Sequence, residues 1–369
     1  MQNSQFSIPN LRVALVHDSF TQLGGAERVM AVLHKMFPEA VVYSLVLDKK
    51  LSAHYDSWQI RTTWLQYFYN LIPKLQYWLF LIPFAVRSIK IQNADIIISS
   101  SSGFVKNIQV PKSAIHLNYC HTPARFLWVD KDYVKQETPV VLRPIIKIFL
   151  KWMRKWDLAG SARVDKFIAN SIEVQNRISH IYERESEVLY PPIDTHFWQP
   201  TRQKSNYFLV AGRLQAHKKI AWVVKIFNEL NLSLHVVGTG RQENFLKSIA
   251  NPNIKFLGRI SDEQLRDEYS GALAFIYPQE EDFGLMPLEA AACGTPTIAF
   301  AKGGGLETVV EGKTGKFFNK YDKNEFSVII SEHHQEKYEL DGLSSHAKKF
   351  SESVFVNKIN QLLENEHRR

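Results

Sequence analysis

Cysteine is nearly missing from this chain. Cys120 and Cys293 are the two in 369 residues, far apart and each within an apolar stretch, so a disulfide framework is excluded and reduced core thiols are expected. Long hydrophobic runs are missing too. The most apolar stretch, Tyr77 to Val86, is about half the ~20 residues that a spanning helix needs and contains Pro83, so no transmembrane helix is expected. Met1 to Asn10 is polar, with neither the basic nor the apolar region of a signal peptide. Residues 1–11 therefore read as a disordered lead-in, with nothing to direct export. No internal repeat or low-complexity tract occurs, and 45% hydrophobic with 22% charged residues is a globular composition.

What is present is size, positive charge and an alternating pattern. At 369 residues the chain exceeds the length at which one hydrophobic core usually stops growing, so two domains are expected. Short runs rich in Val and Ile recur between longer helical patterns: Val13 to His17, Ile96 to Ser99, Ile115 to Cys120 and Phe167 to Asn170. The second half repeats the rhythm with Tyr207 to Ala211, Leu232 to Val237, Ile254 to Leu257, Ala272 to Tyr277 and Thr297 to Phe300. Strands alternating with helices imply parallel α/β sheets. Leu189 to Asp194, with Pro191 and Pro192, disfavours helix and reads as a linker. The expected domains are thus 12–200 and 201–350, with a C-terminal helix over 351–369 that packs back toward the first. Open α/β sheets bind ligands at the carboxyl ends of their strands, beside helix N-termini, so the loops there are where chemistry is sought.

After the first strand comes Asp18-Ser19-Phe20-Thr21-Gln22-Leu23-Gly24-Gly25-Ala26-Glu27-Arg28, followed by an amphipathic helix with Val29, Val32 and Leu33. Gly24 and Gly25 let a ligand approach the backbone beside a helix N-terminus, or serve only as a tight turn. Gly238-Thr239-Gly240 resembles a dinucleotide fingerprint but has Glu243 where the third glycine belongs, which argues against an NAD site. The strongest signal runs from Glu281 through Asp282, Phe283, Gly284 and Leu285 to Pro287 and Glu289, on to Pro296. A strand ends at Tyr277-Pro278, Glu280 to Asp282 form an acidic loop, and a helix is expected to begin near Pro287. That places Glu281 in the loop and Glu289 in the first helical turn, where both carboxylates can accept from a polyhydroxyl ligand while amides at Phe283, Gly284 and Leu285 donate. The competing reading leaves Glu281 solvated and Glu289 as a helix-dipole partner.

This stretch resembles the E-x7-E signature of family 4 retaining glycosyltransferases, which have the GT-B fold: two Rossmann-like doubly wound domains facing across a cleft. Gly212-Arg213-Leu214 with Lys218 is similar to that family's G-R-L-x-x-x-K element. Gly24 to Arg28, His121-Thr122-Pro123, Asn170-Ser171, Phe256 to Arg259 and Gly303 to Glu307 agree with it in order along the chain. The resemblance implies that Arg213 and Lys218 bind a donor diphosphate, that Glu281 and the following amides hold the transferred sugar, and that Glu289 holds the ribose. It also implies that His121 faces the sugar from the first domain and that transfer retains configuration. A guanidinium and an ammonium stabilise the charge that grows on a diphosphate leaving group, so no metal and no cofactor is required. Local wording is most like mannosyltransferases of surface-polysaccharide assembly, so the expected donor is GDP-mannose.

Asp130-Lys131-Asp132 spells a D-x-D metal motif but does not follow a buried strand, and it reads as a solvated loop. The +8 formal charge suits an anionic partner. Arg143, Lys147, Lys151 and Lys155 recur every four residues among Ile145, Ile146, Phe149, Trp152, Met153 and Trp156, the pattern of a basic amphipathic helix at an anionic bilayer. Trp64 to Phe84 adds Tyr67, Phe68, Tyr69, Tyr77, Trp78 and Phe80; these aromatics either approach lipid or pack on the sheet. A lipid-linked saccharide acceptor would suit such a face, and the expected location is cytoplasmic, peripheral on the inner membrane. A nucleotide-sugar epimerase or phosphorylase of the same fold and a non-catalytic membrane-binding protein are the alternatives. No nucleic-acid-binding motif accompanies the charge.

Overall fold

A computed structural model describes residues 11–129, 140–333 and 338–367. The chain divides into two compact units, Met1–Pro191 with Phe355–Arg369, and Pro192–Val354. The proline-containing linker put the expected division near residue 200. In the structure Ile193 and Trp198 are already buried in the second unit, where the Ile193 amide donates to the Phe350 carbonyl at 2.8 Å.

In the first unit β1 (Val13–His17), β2 (Val42–Ser44), β3 (Ile60–Thr62), β4 (Ile96–Ser101), β5 (Ile115–Cys120), β6 (Lys166–Ala169) and β7 (Ser186–Val188) form a parallel sheet. Their order is β3-β2-β1-β4-β5-β6-β7. Side chains alternate faces along each strand. Leu15, Ile96 and Ile98 pack with Val29, Met30 and Leu33 of the Gly25–Met36 helix, and Val16 and Ile97 pack on the opposite face with Ile82 and Val86. The Glu352–His367 helix supplies Phe355, Ile359, Leu362 and Leu363 to this same core.

β4 runs two residues beyond the apolar segment, through Ser100 and Ser101. Polar residues continue a buried strand only where their hydroxyls find partners. Here Ser99 Oγ lies 2.6 Å from His116 Nε2, and the Asn118 amide donates to Ser99 Oγ at 2.8 Å.

The second unit holds β8 (Phe208–Ala211), β9 (Leu234–Val237), β10 (Ile254–Gly258), β11 (Phe275–Tyr277), β12 (Thr297–Phe300) and β13 (Gly315–Phe318). They form another parallel sheet, ordered β10-β9-β8-β11-β12-β13. Phe208, Val210, Ile276 and Ile298 pack with Val223, Val224 and Phe227 of the Ile220–Leu230 helix. Each sheet reverses its strand order once, at β1/β4 and at β8/β11. Loops leaving two such neighbouring strands part in opposite directions and open a crevice at their carboxyl ends. Both crevices are occupied by residues that the sequence singles out.

Candidate functional site

At the switch point of the second sheet, the loop after β8 carries Arg213 and Lys218, and the loop after β11 carries Glu281. Lys218 and Glu281 meet as a direct ion pair, their side chains 14% and 27% exposed. The Gln279 amide also donates to the same Glu281 oxygen at 3.2 Å. Burial pushes the Glu281 carboxyl up, but the Lys218 ammonium outweighs it and holds the group below the usual carboxylate range. Glu281 is therefore neither solvated nor neutral. Tyr277, fully buried beneath the loop, has its phenol pushed well up by burial and by the Glu281 carboxylate.

The path of the loop depends on glycine. Gly212 leaves β8 at φ 141°, and Gly284 enters the next helix at φ 95°, a region that side chains with a Cβ avoid. Gly303 and Gly304, after β12, allow the acidic loop to lie directly on them: a Cβ at Gly304 would stand 2.0 Å from the Phe283 carbonyl. The Gly304 amide donates to the Glu281 carbonyl at 2.8 Å. Gly238 and Gly240, the incomplete dinucleotide fingerprint, have a similar task. A Cβ there would strike the carbonyls of Gly212 and Leu214, and the Leu214 amide donates to Thr239 at 3.0 Å. These two glycines support the Arg213 loop.

The helix after Gly284 spans Leu285–Ala292, two residues earlier than Pro287 suggests, because the positive φ at Gly284 turns the chain directly into it. Glu289 consequently sits in the second turn, not the first. It is 2% exposed, and Tyr269 Oη is 3.5 Å from its carboxylate. A carboxylate so buried and so far along the helix is not a simple dipole partner at a solvated first turn. Phe283 is buried with its ring 5.9 Å from that of Phe350, and the first-turn amides beginning at Leu285 lack intrahelical acceptors.

In the first unit Gly24 precedes the Gly25–Met36 helix, and its amide donates to Glu27 Oε2 at 2.9 Å. Asp18, after β1, accepts from the amides of Ser102, Phe104 and Val105 at 2.6, 3.1 and 2.8 Å, which ties together the loops after β1 and β4. His121 follows β5 directly, with Nε2 2.8 Å from Ser100 Oγ. Burial, with a contribution from His17, lowers its pKa to about 3, so the ring is neutral. Sequence reasoning missed Asp18, His17 and Ser100 as parts of this cluster. Glu27 was quoted only within a motif, although its place three residues after Gly24 is a helix-capping spacing that could have drawn notice.

The basic aromatic segments divide between the two readings. Arg143, Lys147, Lys151 and Lys155 are all exposed along the Arg143–Ser161 helix, and so are Ile145, Ile148 and Trp152. Tyr67, Leu71, Tyr77, Phe80 and Phe84 are exposed as well, and the Phe84 ring stacks on Trp152 at 6.4 Å. Tyr69 and Met153 are buried, while Phe68, Trp78 and Trp156 pack on the core. Asp130 and Asp132 lie outside the described residues. Among the described residues no helix is long and apolar enough to cross a membrane, and no His, Cys, Asp or Glu cluster is placed to hold a metal.

Residues 193–352 match the family described as Glycosyl transferases group 1. The alpha-1,3/1,6-mannosyltransferase ALG2 of Dictyostelium discoideum is 27% identical over 299 residues, which cover 67% of this chain and 69% of that protein. The GDP-mannose-dependent monoacylated alpha-(1-6)-phosphatidylinositol monomannoside mannosyltransferase of Corynebacterium glutamicum is 34% identical over 110 residues, 27% of this chain and 29% of that one. The chain thus spans about two thirds of the first relative and under a third of the second. Anabaena Alr3699/HepE, solved in complex with UDP, matches with a TM-score of 0.70 at 15% identity, over 96% of this chain and 100% of that one. At that identity the likeness concerns fold, and the fold is GT-B.

Proposed function

We propose, from the premise that residues 193–352 of this chain are a group 1 glycosyltransferase domain, that the protein moves a hexose from a nucleotide-sugar to a saccharide acceptor. The observation that carries this reading is the Lys218 and Glu281 pair at the β8/β11 switch point, with Arg213 on the same loop as Lys218. Arg213 and Lys218 bind the donor diphosphate and stabilise the charge it gains as the glycosidic bond breaks. The diphosphate thus competes with Glu281 for the Lys218 ammonium, which frees the carboxylate to accept from sugar hydroxyls. Glu289 holds the ribose, amides from Phe283 to Leu285 contact the sugar, and Gly24, Gly25 and His121 are further donor contacts in this proposal. Transfer retains configuration and needs neither metal nor cofactor.

Mannose from GDP-mannose is the proposed donor, supported by the names of the two mannosyltransferase relatives. The test is a thermal-shift panel of UDP, GDP, ADP and dTDP, followed by product analysis. A nucleotide at 100 times its dissociation constant adds about 2.7 kcal/mol of stability. Stabilisation by GDP, with mannose moved only when an acceptor saccharide is added, is the expected result. Preference for UDP overturns the donor, no response to any nucleotide overturns the transferase, and sugar conversion without an acceptor indicates an epimerase or phosphorylase.

The acceptor is proposed to be lipid-linked, and the protein to sit peripherally on the cytoplasmic membrane face. Exposed Ile145, Ile148, Trp152, Phe84 and Phe80 beside Arg143, Lys147, Lys151 and Lys155 support that reading, because apolar side chains can enter the interface while the charges meet anionic headgroups.

A further inference from the structure

Three side chains that the proposed reaction does not yet use form a buried line to His121 in the first unit. Glu27 Oε1 stands 3.7 Å from His17 Nε2. His17 Nδ1 is 3.2 Å from Ser100 Oγ, and Ser100 Oγ is 2.8 Å from His121 Nε2. The line runs across the switch point of the sheet, since His17 and Ser100 are paired residues of β1 and β4 and His121 directly follows the adjacent β5. Its members are almost wholly removed from solvent. The other oxygen of Glu27 accepts from the Gly24 amide, so one carboxylate holds both the glycine turn and the end of the line.

A hydroxyl between two imidazole nitrogens has one hydrogen to give. It donates to one ring and accepts from the other, so the two rings cannot choose their tautomers independently. The carboxylate of Glu27 can only accept, and it favours a hydrogen on the His17 nitrogen that faces it. With that hydrogen on Nε2, the Nδ1 lone pair of His17 faces Ser100 Oγ, 3.2 Å away. Ser100 donates into that lone pair, and its oxygen is left to accept from His121 Nε2. His121, kept neutral by burial, must therefore carry its hydrogen on Nε2 and leave Nδ1 as an acceptor.

We infer that Glu27, His17 and Ser100 are positioning residues that set the tautomer of His121, so that His121 offers a lone pair at Nδ1 to a donating hydroxyl of the sugar. The inference rests on the proposed role of His121 at the sugar, but its test does not. Long-range proton–nitrogen correlation spectra of protein labelled with 15N-histidine report which nitrogen bears hydrogen, with His121→Asn assigning the signal. The expected spectrum shows His121 protonated at Nε2 and bare at Nδ1, in the absence of any substrate. Ser100→Ala shifts it toward a tautomer mixture and Ser100→Thr, which keeps the hydroxyl, restores it. Glu27→Gln, which still accepts from Gly24 but lacks the charge, shifts it in the same direction as Ser100→Ala. With a transferable donor, Ser100→Ala lowers kcat about tenfold, the size of one hydrogen bond, while affinity for the free nucleotide is unchanged. Hydrogen on Nδ1 in the unmodified protein, or no tautomer change in Ser100→Ala, overturns the inference. If these spectra behave as stated and no sugar transfer is found, only the transferase reading fails.

Discussion

Glu281 and Glu289 look like a matched pair in the sequence, yet the structure gives them different surroundings. Glu281 faces Lys218 and Gln279 in a loop, whereas Glu289 is 2% exposed inside a helix beside Tyr269. If Glu289 holds the ribose, Glu289→Gln raises the donor KM through loss of a charge-assisted hydrogen bond, roughly 1.5 to 3 kcal/mol, and weakens the free nucleotide in parallel. Glu281→Gln instead lowers kcat, with little change in affinity for the nucleotide diphosphate lacking a sugar. Steady-state transfer measured beside calorimetric nucleotide binding separates the two. Weak nucleotide binding by Glu281→Gln, or intact binding by Glu289→Gln, reverses the allocation. Arg213→Ala lowers turnover by several orders of magnitude if it stabilises the leaving group, at tenfold for each ~1.4 kcal/mol. A fall of less than tenfold removes Arg213 from that role.

The Arg143–Ser161 helix shows how one element serves two surroundings. Its outer face presents Lys147, Ile148, Lys151 and Trp152, while Leu150, Met153, Asp157 and Gly160 are buried. Asp157 forms a direct buried ion pair with Lys106 and accepts from Trp128 Nε1 and Tyr182 Oη, each at 2.8 Å. Gly160 permits the close approach, since a Cβ there would fall 1.5 Å from Asn107 Oδ1. Removing one member of a buried pair leaves the other charge uncompensated, so Lys106→Met lowers stability by about 3–5 kcal/mol. Urea unfolding reads this as a lower midpoint at constant slope, and an unchanged midpoint refutes it. The outer face is tested separately by changing Arg143, Lys147, Lys151 and Lys155 together to Gln. Binding to vesicles containing anionic lipid should weaken by about 1 kcal/mol per charge, with donor hydrolysis in detergent unaltered. Equal binding of both proteins to anionic and neutral vesicles excludes the lipid contact.

For the whole molecule, the metal-free proposal predicts that transfer survives excess EDTA, because Arg213 and Lys218 supply the positive charge. Complete loss restored by Mg²⁺ or Mn²⁺ rejects it and returns attention to Asp130 and Asp132. Much of the double α/β architecture could be read directly. β1 and β12 coincide with their apolar runs because parallel strands covered on both faces are largely hydrophobic, and β5 coincides with its run although His116 and Asn118 interrupt it, since both find partners at Ser99. β2, β3 and β7, three residues each, escaped that reading because a strand so short carries no periodic signal, and Ser186–Val188 at the sheet edge is partly polar. The composition and motif order alone determined the α/β class, the family likeness and the loops that hold Arg213, Lys218, Glu281 and His121. Only tertiary structure decided that Lys218 pairs with Glu281, that Glu289 is buried in a second helical turn, and that Glu27, His17 and Ser100 lead to His121. Those relations join residues up to 83 positions apart, His17 to Ser100 across the neighbouring β1 and β4. Local sequence specifies what each strand end carries, but which ends become neighbours is set by the order in which the sheet assembles.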